Sequence, residues 1–189
     1  MKLYCALRNH KITGISEAST GPMMVCGRCG TRFPLIQTEL QIVVNAPMEK
    51  VYSVNADYAH WPQHFPQFKS VRLISERRNE RWLETMVTNR KGKTRSVKEV
   101  QRLVSPDRIE EEVYLRTRSN LVVTTLTERI IRTYEKTQEG TRASVTVFLL
   151  PGRYGLFSAY RLVKGRLERQ INASYRKQLE IIKQAAEAA

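Results

Sequence analysis

Between residues 70 and 150 the chain repeats one pattern: a run in which apolar and polar residues alternate, closed by a short turn. A period of two sends successive side chains to opposite faces of a strand. The runs 70–76, 81–89, 94–104, 108–116, 121–134 and 142–150 are therefore predicted strands. The last is the clearest, with Ala143, Val145, Val147 and Leu149 on one face and Ser144, Thr146, Phe148 and Leu150 on the other. The breaks carry turn chemistry: Arg90-Lys91-Gly92-Lys93, Ser105-Pro106-Asp107, Arg118-Ser119-Asn120 and Gln138-Glu139-Gly140. Connections this short join strands antiparallel. Downstream the period changes. Leu156, Tyr160, Val163, Leu167, Ile171, Tyr175, Leu179 and Ile182 recur every three or four residues and form one stripe of a long helix. A sheet with one apolar face, followed by one helix with one apolar stripe, buries both if the sheet curls around the helix. The expected class is α+β, with six to seven strands.

Upstream of the meander, alternation at 39–45 predicts another strand, and Pro47 suits the first position of a helix carrying Met48, Val51, Tyr52 and Asn55. That helix breaks at Trp61-Pro62, and a second short helical turn is expected at 63–65. Strand, two short helices, antiparallel strands and long C-terminal helix is an order that resembles the START/Bet v 1-like superfamily. The segments Asn45-Ala46-Pro47-Met48-Glu49-Lys50-Val51-Tyr52 and Trp61-Pro62-Gln63-His64-Phe65-Pro66 resemble its strand-to-helix entry and its aromatic-proline closure. The nearest subgroup is that of polyketide cyclase/dehydrase and coenzyme Q-binding START-like proteins, which includes a ribosome-association toxin. The resemblance covers roughly residues 38–183. It implies a helix-grip fold with an apolar cavity between sheet and helix. Trp61, Phe65, Trp82, Tyr114, Phe148, Leu156, Phe157 and Tyr160 are the expected lining.

All three cysteines precede residue 30, where a turn-rich stretch at 13–22 is expected to be loop. Cys26-Gly27-Arg28-Cys29-Gly30 is a CxxC knuckle, and Cys5 with His10 offers a second pair. Three thiolates and an imidazole match the tetrahedral donor set of a structural zinc, closed to a catalytic water. A thioredoxin-like pair needs the CxxC at a helix start, which this sequence lacks, and three cysteines cannot all pair internally. The expected division is a zinc-knuckle segment at 1–36 and a START-like domain at 37–189.

No apolar run reaches the roughly 20 residues of a membrane-spanning helix. Arg8, Asn9, His10 and Lys11 interrupt the N-terminus as a secretory signal, so a cytoplasmic location is expected. The formal net charge of +14 favours polyanionic partners. Arg90, Lys91, Lys93 and Arg95 crowd one hairpin tip, where they could meet RNA phosphate.

No Ser-His or Cys-His arrangement announces a nucleophile. His60 and His64 stand four apart but with Pro62 between them, and Glu110, Glu111 and Glu112 alternate faces on a strand. The leading expectation is thus a non-catalytic carrier of a hydrophobic molecule such as a lipid, quinone or polyketide-like aromatic. A ribosome- or RNA-binding factor is the alternative, and a polyketide cyclase or dehydratase, resting on the resemblance alone, a weaker one.

Overall fold

The computed structural model describes residues 10–16, 23–88, 92–118, 123–151, 153–154 and 159–188. In chain order these form β1 (His10–Ser16), β2 (Met23–Cys26), β3 (Arg32–Pro34), β4 (Ile36–Val44), α1 (Met48–Ala56), a 3-10 turn (Tyr58–His60), α2 (Trp61–His64), β5 (Phe68–Arg77), β6 (Glu80–Thr88), β7 (Thr94–Ser105), β8 (Arg108–Arg118), β9 (Val123–Thr137), β10 (Gly140–Pro151), β11 (Arg153–Tyr154) and α3 (Ala159–Ala188). Seven antiparallel strands make the large sheet in the order β4-β10-β9-β8-β7-β6-β5. The meander expected from alternation accounts for all of it except β4, which crosses back to pair with β10.

Alternation decides the faces. Along β10, Thr141, Ala143, Val145, Val147, Leu149 and Pro151 are buried while the residues between them are half-buried or exposed. These inward residues meet Ile171, Tyr175, Leu179, Ile182 and Ala186 from α3 in one core. The helix packs most closely on β4. Thr38 donates to Asn172 at 2.8 Å across that contact. Farther along the sheet the helix is held by polar links: Arg132 donates to Gln178 at 3.0 Å and Tyr175 to Glu128 at 3.0 Å. Helix close to β4 but bridged to β9 leaves a space over the middle strands.

At the β9–β10 turn Gly140 has φ +128°, and a Cβ there would lie 2.3 Å from the Val44 carbonyl oxygen. Only glycine allows the end of β4 to pass so close.

Two local expectations change. The second helical turn begins at Trp61 itself, two residues early, because Pro62 fits the first turn of a helix. Residues 13–16, expected as loop, belong to β1, which pairs with β2 on one side and β11 on the other. Together with β3 these form a four-stranded sheet in the order β11-β1-β2-β3. Its Met24 is fully buried and belongs to the same cluster as Ile36 and Val44. Strand partners from the far end of the chain, not local propensity, make this sheet.

Candidate functional site: a cavity under the C-terminal helix

The space beneath α3 is a cavity of about 470 Å³. Its wall is the concave face of β6 to β9, and the register lays that face out in rows. One row runs across the strands as Leu83, Glu99, Val113, Glu128 and Leu149. The next holds Gln101, Glu111, Ile130 and Val147, and a third Leu103, Ile109, Arg132 and Val145. Glu99 and Glu111 are therefore diagonal neighbours on adjacent strands, as are Glu111 and Arg132. On the other side of Glu99 come Thr85, Val97, Leu115 and Leu126, all lining the cavity. The wall thus passes from apolar to ionic.

Aromatic residues close another side. Trp61 is held by its indole N–H, which donates to the Asn55 carbonyl at 3.0 Å, and Gln101 donates to the same oxygen at 3.1 Å. These donors satisfy carbonyls left over at the C-terminus of α1, where Arg81 also donates to the Ala56 oxygen at 2.9 Å. Trp61 stacks on Phe68 at 5.5 Å, and Phe65 meets Phe68 edge-on at 5.7 Å. All three rings line the cavity.

The ionic end is unevenly satisfied. Arg132 Nε donates to Glu111 at 3.1 Å. Burial pulls the guanidinium towards neutrality, but the Glu111 carboxylate more than restores it, so Arg132 stays charged. Its Nη1 has no hydrogen-bond partner, and neither does Thr85 Oγ1. Glu99 is 5% exposed and finds no hydrogen-bond partner among the described residues. Burial first, and the neighbouring Glu111 second, push its carboxyl well above the usual carboxylate range. Burial also raises Glu128, although the Tyr175 hydroxyl opposes the shift. Tyr175 is itself pushed well up by burial, which keeps its O–H a donor.

A cavity of this size, apolar with a few convergent polar groups, is the form that small-molecule sites take. The sequence agrees. Residues 44–169 match the family model for polyketide cyclase / dehydrase and lipid transport. The chain belongs to that family. Among solved structures, the di-domain ARO/CYC BexL from the BE-7585A biosynthetic pathway superposes with a TM-score of 0.64 at 19% identity, over 82% of this chain and 51% of BexL. The chain spans about half the length of that di-domain protein. The Zhui aromatase/cyclase from Streptomyces sp. R1128 gives 0.60 at 16% identity, covering 82% of this chain and 94% of Zhui. A START superfamily protein from Mycobacterium smegmatis gives 0.56 at 12% identity, over 82% and 97% of the two chains. At these identities the likeness is one of fold. No curated protein matches the sequence.

Within this polyketide cyclase/dehydrase and lipid transport family fold, the expected lining residues divide. Trp61 and Phe65 line the cavity. Trp82 and Tyr114 do not: they stack on each other at 6.3 Å, about 40% exposed, on the convex face. Phe148 also has the outward phase, and its neighbour Leu149 lines the cavity instead. Leu156 and Phe157 lie outside the described residues, and Tyr160 is described by its backbone alone. Of the expected RNA-contacting tip, Arg95 lines the cavity and Lys93 is exposed, while Arg90 and Lys91 lie outside the described residues. Cys26 ends β2 and Cys29 lies in the β2–β3 turn, Cys5 lies outside the described residues, and His10 opens β1 with only its backbone described. His60 is exposed and pairs with Asp57 at 2.6 Å.

Alternation alone did not single out Glu99, Gln101, Glu111, Glu128 and Arg132. The signal was present. Each sits in the apolar phase of its strand, flanked two residues away by Val97, Leu103, Ile109, Val113, Leu126, Ile130 or Tyr134. A charge in that phase either has a buried partner or faces a cavity.

Proposed function

We propose that the chain is a non-catalytic binding protein that holds one apolar, ring-sized molecule in the cavity under α3. The cavity itself carries this reading: about 470 Å³, walled by Trp61, Phe65, Phe68 and aliphatic residues of β6 to β9. Its volume lies within the usual range for a small-molecule site, about 300–1,000 Å³. Membership of a family described by polyketide cyclase, dehydrase and lipid transport supports an apolar occupant. The polar lining residues Glu99, Glu111, Glu128 and Arg132 are read as recognising that molecule rather than transforming it. Organic-solvent extraction of protein purified at native expression level, followed by mass spectrometry, should return a stoichiometric apolar compound. Empty extracts together with no saturable binding of naphthalene-sized probes would defeat the reading. A polyanion-binding role draws no comparable support from the family.

We also infer a structural zinc at the N-terminal knuckle. The β2–β3 turn is closed by the Gly30 N–H donating to the Cys26 carbonyl at 2.8 Å and the Cys26 N–H donating to the Thr31 carbonyl at 3.0 Å. Gly30 takes φ +68°, a conformation that favours glycine, directly after the second cysteine. Ile12 pairs with Cys26, so β1 brings the backbone of His10 within two residues of that partner. Cys26 and Cys29 would hold the ion with Cys5 and His10, and the ion would fix the turn. Elemental analysis should find one zinc per chain, lost in Cys26→Ser. Metal-free protein with the same thermal stability would remove the zinc.

A further inference from the structure

The chain carries a formal charge of +14, yet the cavity is lined by three glutamates, Glu99, Glu111 and Glu128, against the buried Arg132 and the exposed Arg95. Arg132 is already committed to Glu111 and Gln178. Glu128 takes the Tyr175 hydroxyl and lies in the field of Arg95. Glu99 has no hydrogen bond among the described residues and lies only in the field of Arg132, the cation already committed to Glu111, and it is nearly inaccessible except from the cavity. Leaving a carboxyl buried without a partner costs stability. The core does not need it there, because the cross-strand neighbours of Glu99 are Leu83 and Val113. A second observation points the same way. The rings of Trp61, Phe65 and Phe68 are packed against one another on the same cavity. Aromatic faces beside a carboxylate attract an organic cation, the rings through their quadrupole and the carboxylate through its charge.

We propose that the cavity takes a protonated amine on an apolar, ring-sized body, with the Glu99 carboxylate as its counter-ion and Trp61, Phe65 and Phe68 supplying π faces. Thr85, fully buried with its hydroxyl unpartnered, offers a further acceptor beside Val97 on the same wall. The proton balance is simple. An amine that enters uncharged takes the proton from the Glu99 acid, and one that enters charged displaces that proton to water. The inference rests on the cavity being a ligand site and adds the charge of the ligand.

Three probes with one ring system separate the two ideas: naphthylmethylamine, naphthylmethanol and naphthoate, titrated calorimetrically into the full-length protein. Charge-assisted hydrogen bonds contribute about 1.5–3 kcal/mol, so the amine should bind about 10- to 100-fold more tightly than the alcohol. The naphthoate should bind most weakly. The protein's positive surface would favour the naphthoate instead, so adventitious surface binding cannot imitate this order. In Glu99→Gln the ratio of amine to alcohol affinity should collapse towards unity. If the alcohol binds as tightly as the amine in the wild type, the amine proposal fails while the cavity reading stands. A preference for the amine that survives Glu99→Gln removes Glu99 as its source. If no probe binds, both readings fail.

Discussion

The two faces of the large sheet carry the same residue types and treat them in opposite ways. On the convex face, Arg102 donates to Glu80 at 2.9 Å and to Glu112 at 3.2 Å, while Trp82 donates to Glu80 and Tyr114 to Glu112, each at 2.9 Å. Arg108 and Arg129 share Glu110, and Arg72 holds Glu84. The convex carboxylates are accordingly drawn below the usual range, Glu80 by Arg102 and Glu84 by Arg72. On the concave face Glu99 and Glu128 are pushed above it by burial. Pairing wins outside and desolvation wins inside. The difference teaches that charge on a sheet is not in itself a sign of function. The convex carboxylates Glu80, Glu84, Glu110 and Glu112 each take an arginine, whereas the concave face keeps Glu99 with no hydrogen bond among the described residues.

Substitutions can break this comparison, and the largest effect should come from Arg132→Met. It leaves Glu111 buried without its partner, a situation that costs about 3–5 kcal/mol, to be read from urea unfolding. Next, Ile171→Ala on the buried stripe of α3 should cost about 2–5 kcal/mol, and a much smaller loss would mean that the helix does not close the cavity. Glu99→Gln should act through pH. The unfolded glutamate ionises near about 4.3, and the folded one at a higher pH. Between those values the native state holds a proton that the unfolded state has lost, so wild-type stability falls as pH rises, by up to about 1.4 kcal/mol per unit. The variant should show a flatter profile above about pH 4.3. A profile unchanged above that pH would mean that Glu99 is already ionised in the fold. The smallest effect belongs to the convex face: Arg102→Met should cost under about 1 kcal/mol. If it cost as much as Arg132→Met, the contrast between the faces would disappear.

Much of the architecture could be read in advance, because a half-buried strand displays its two faces in alternation and a grip helix displays its stripe. What alternation does not give is which face is inward when both phases hold large apolar groups. Phe148 and Leu149 illustrate this: the ring drew attention, but Leu149 shares its phase with the wholly apolar series Ala143, Val145 and Val147. Trp82 and Tyr114 misled for a related reason, since amphipathic aromatics also suit an exposed surface when their N–H and O–H find carboxylates. The ionic end of the cavity is assembled across strands, with Glu99 on β7, Glu111 on β8 and Glu128 and Arg132 on β9. Reading Glu110, Glu111 and Glu112 as alternating was correct for that strand and still missed the diagonal approach of Glu111 to Glu99. The pairing of β1 with β11 was illegible, because its partners stand at opposite ends of the chain.

The chain's two tryptophans lie on the two faces, Trp61 in the cavity wall and Trp82 outside it. Fluorescence quenching by nitrotoluene, a small neutral aromatic, can therefore report each face separately in Trp82→Phe and Trp61→Phe. A ligand site under α3 predicts saturable quenching of Trp61 and only linear, collisional quenching of Trp82. Linear quenching of both would contradict it.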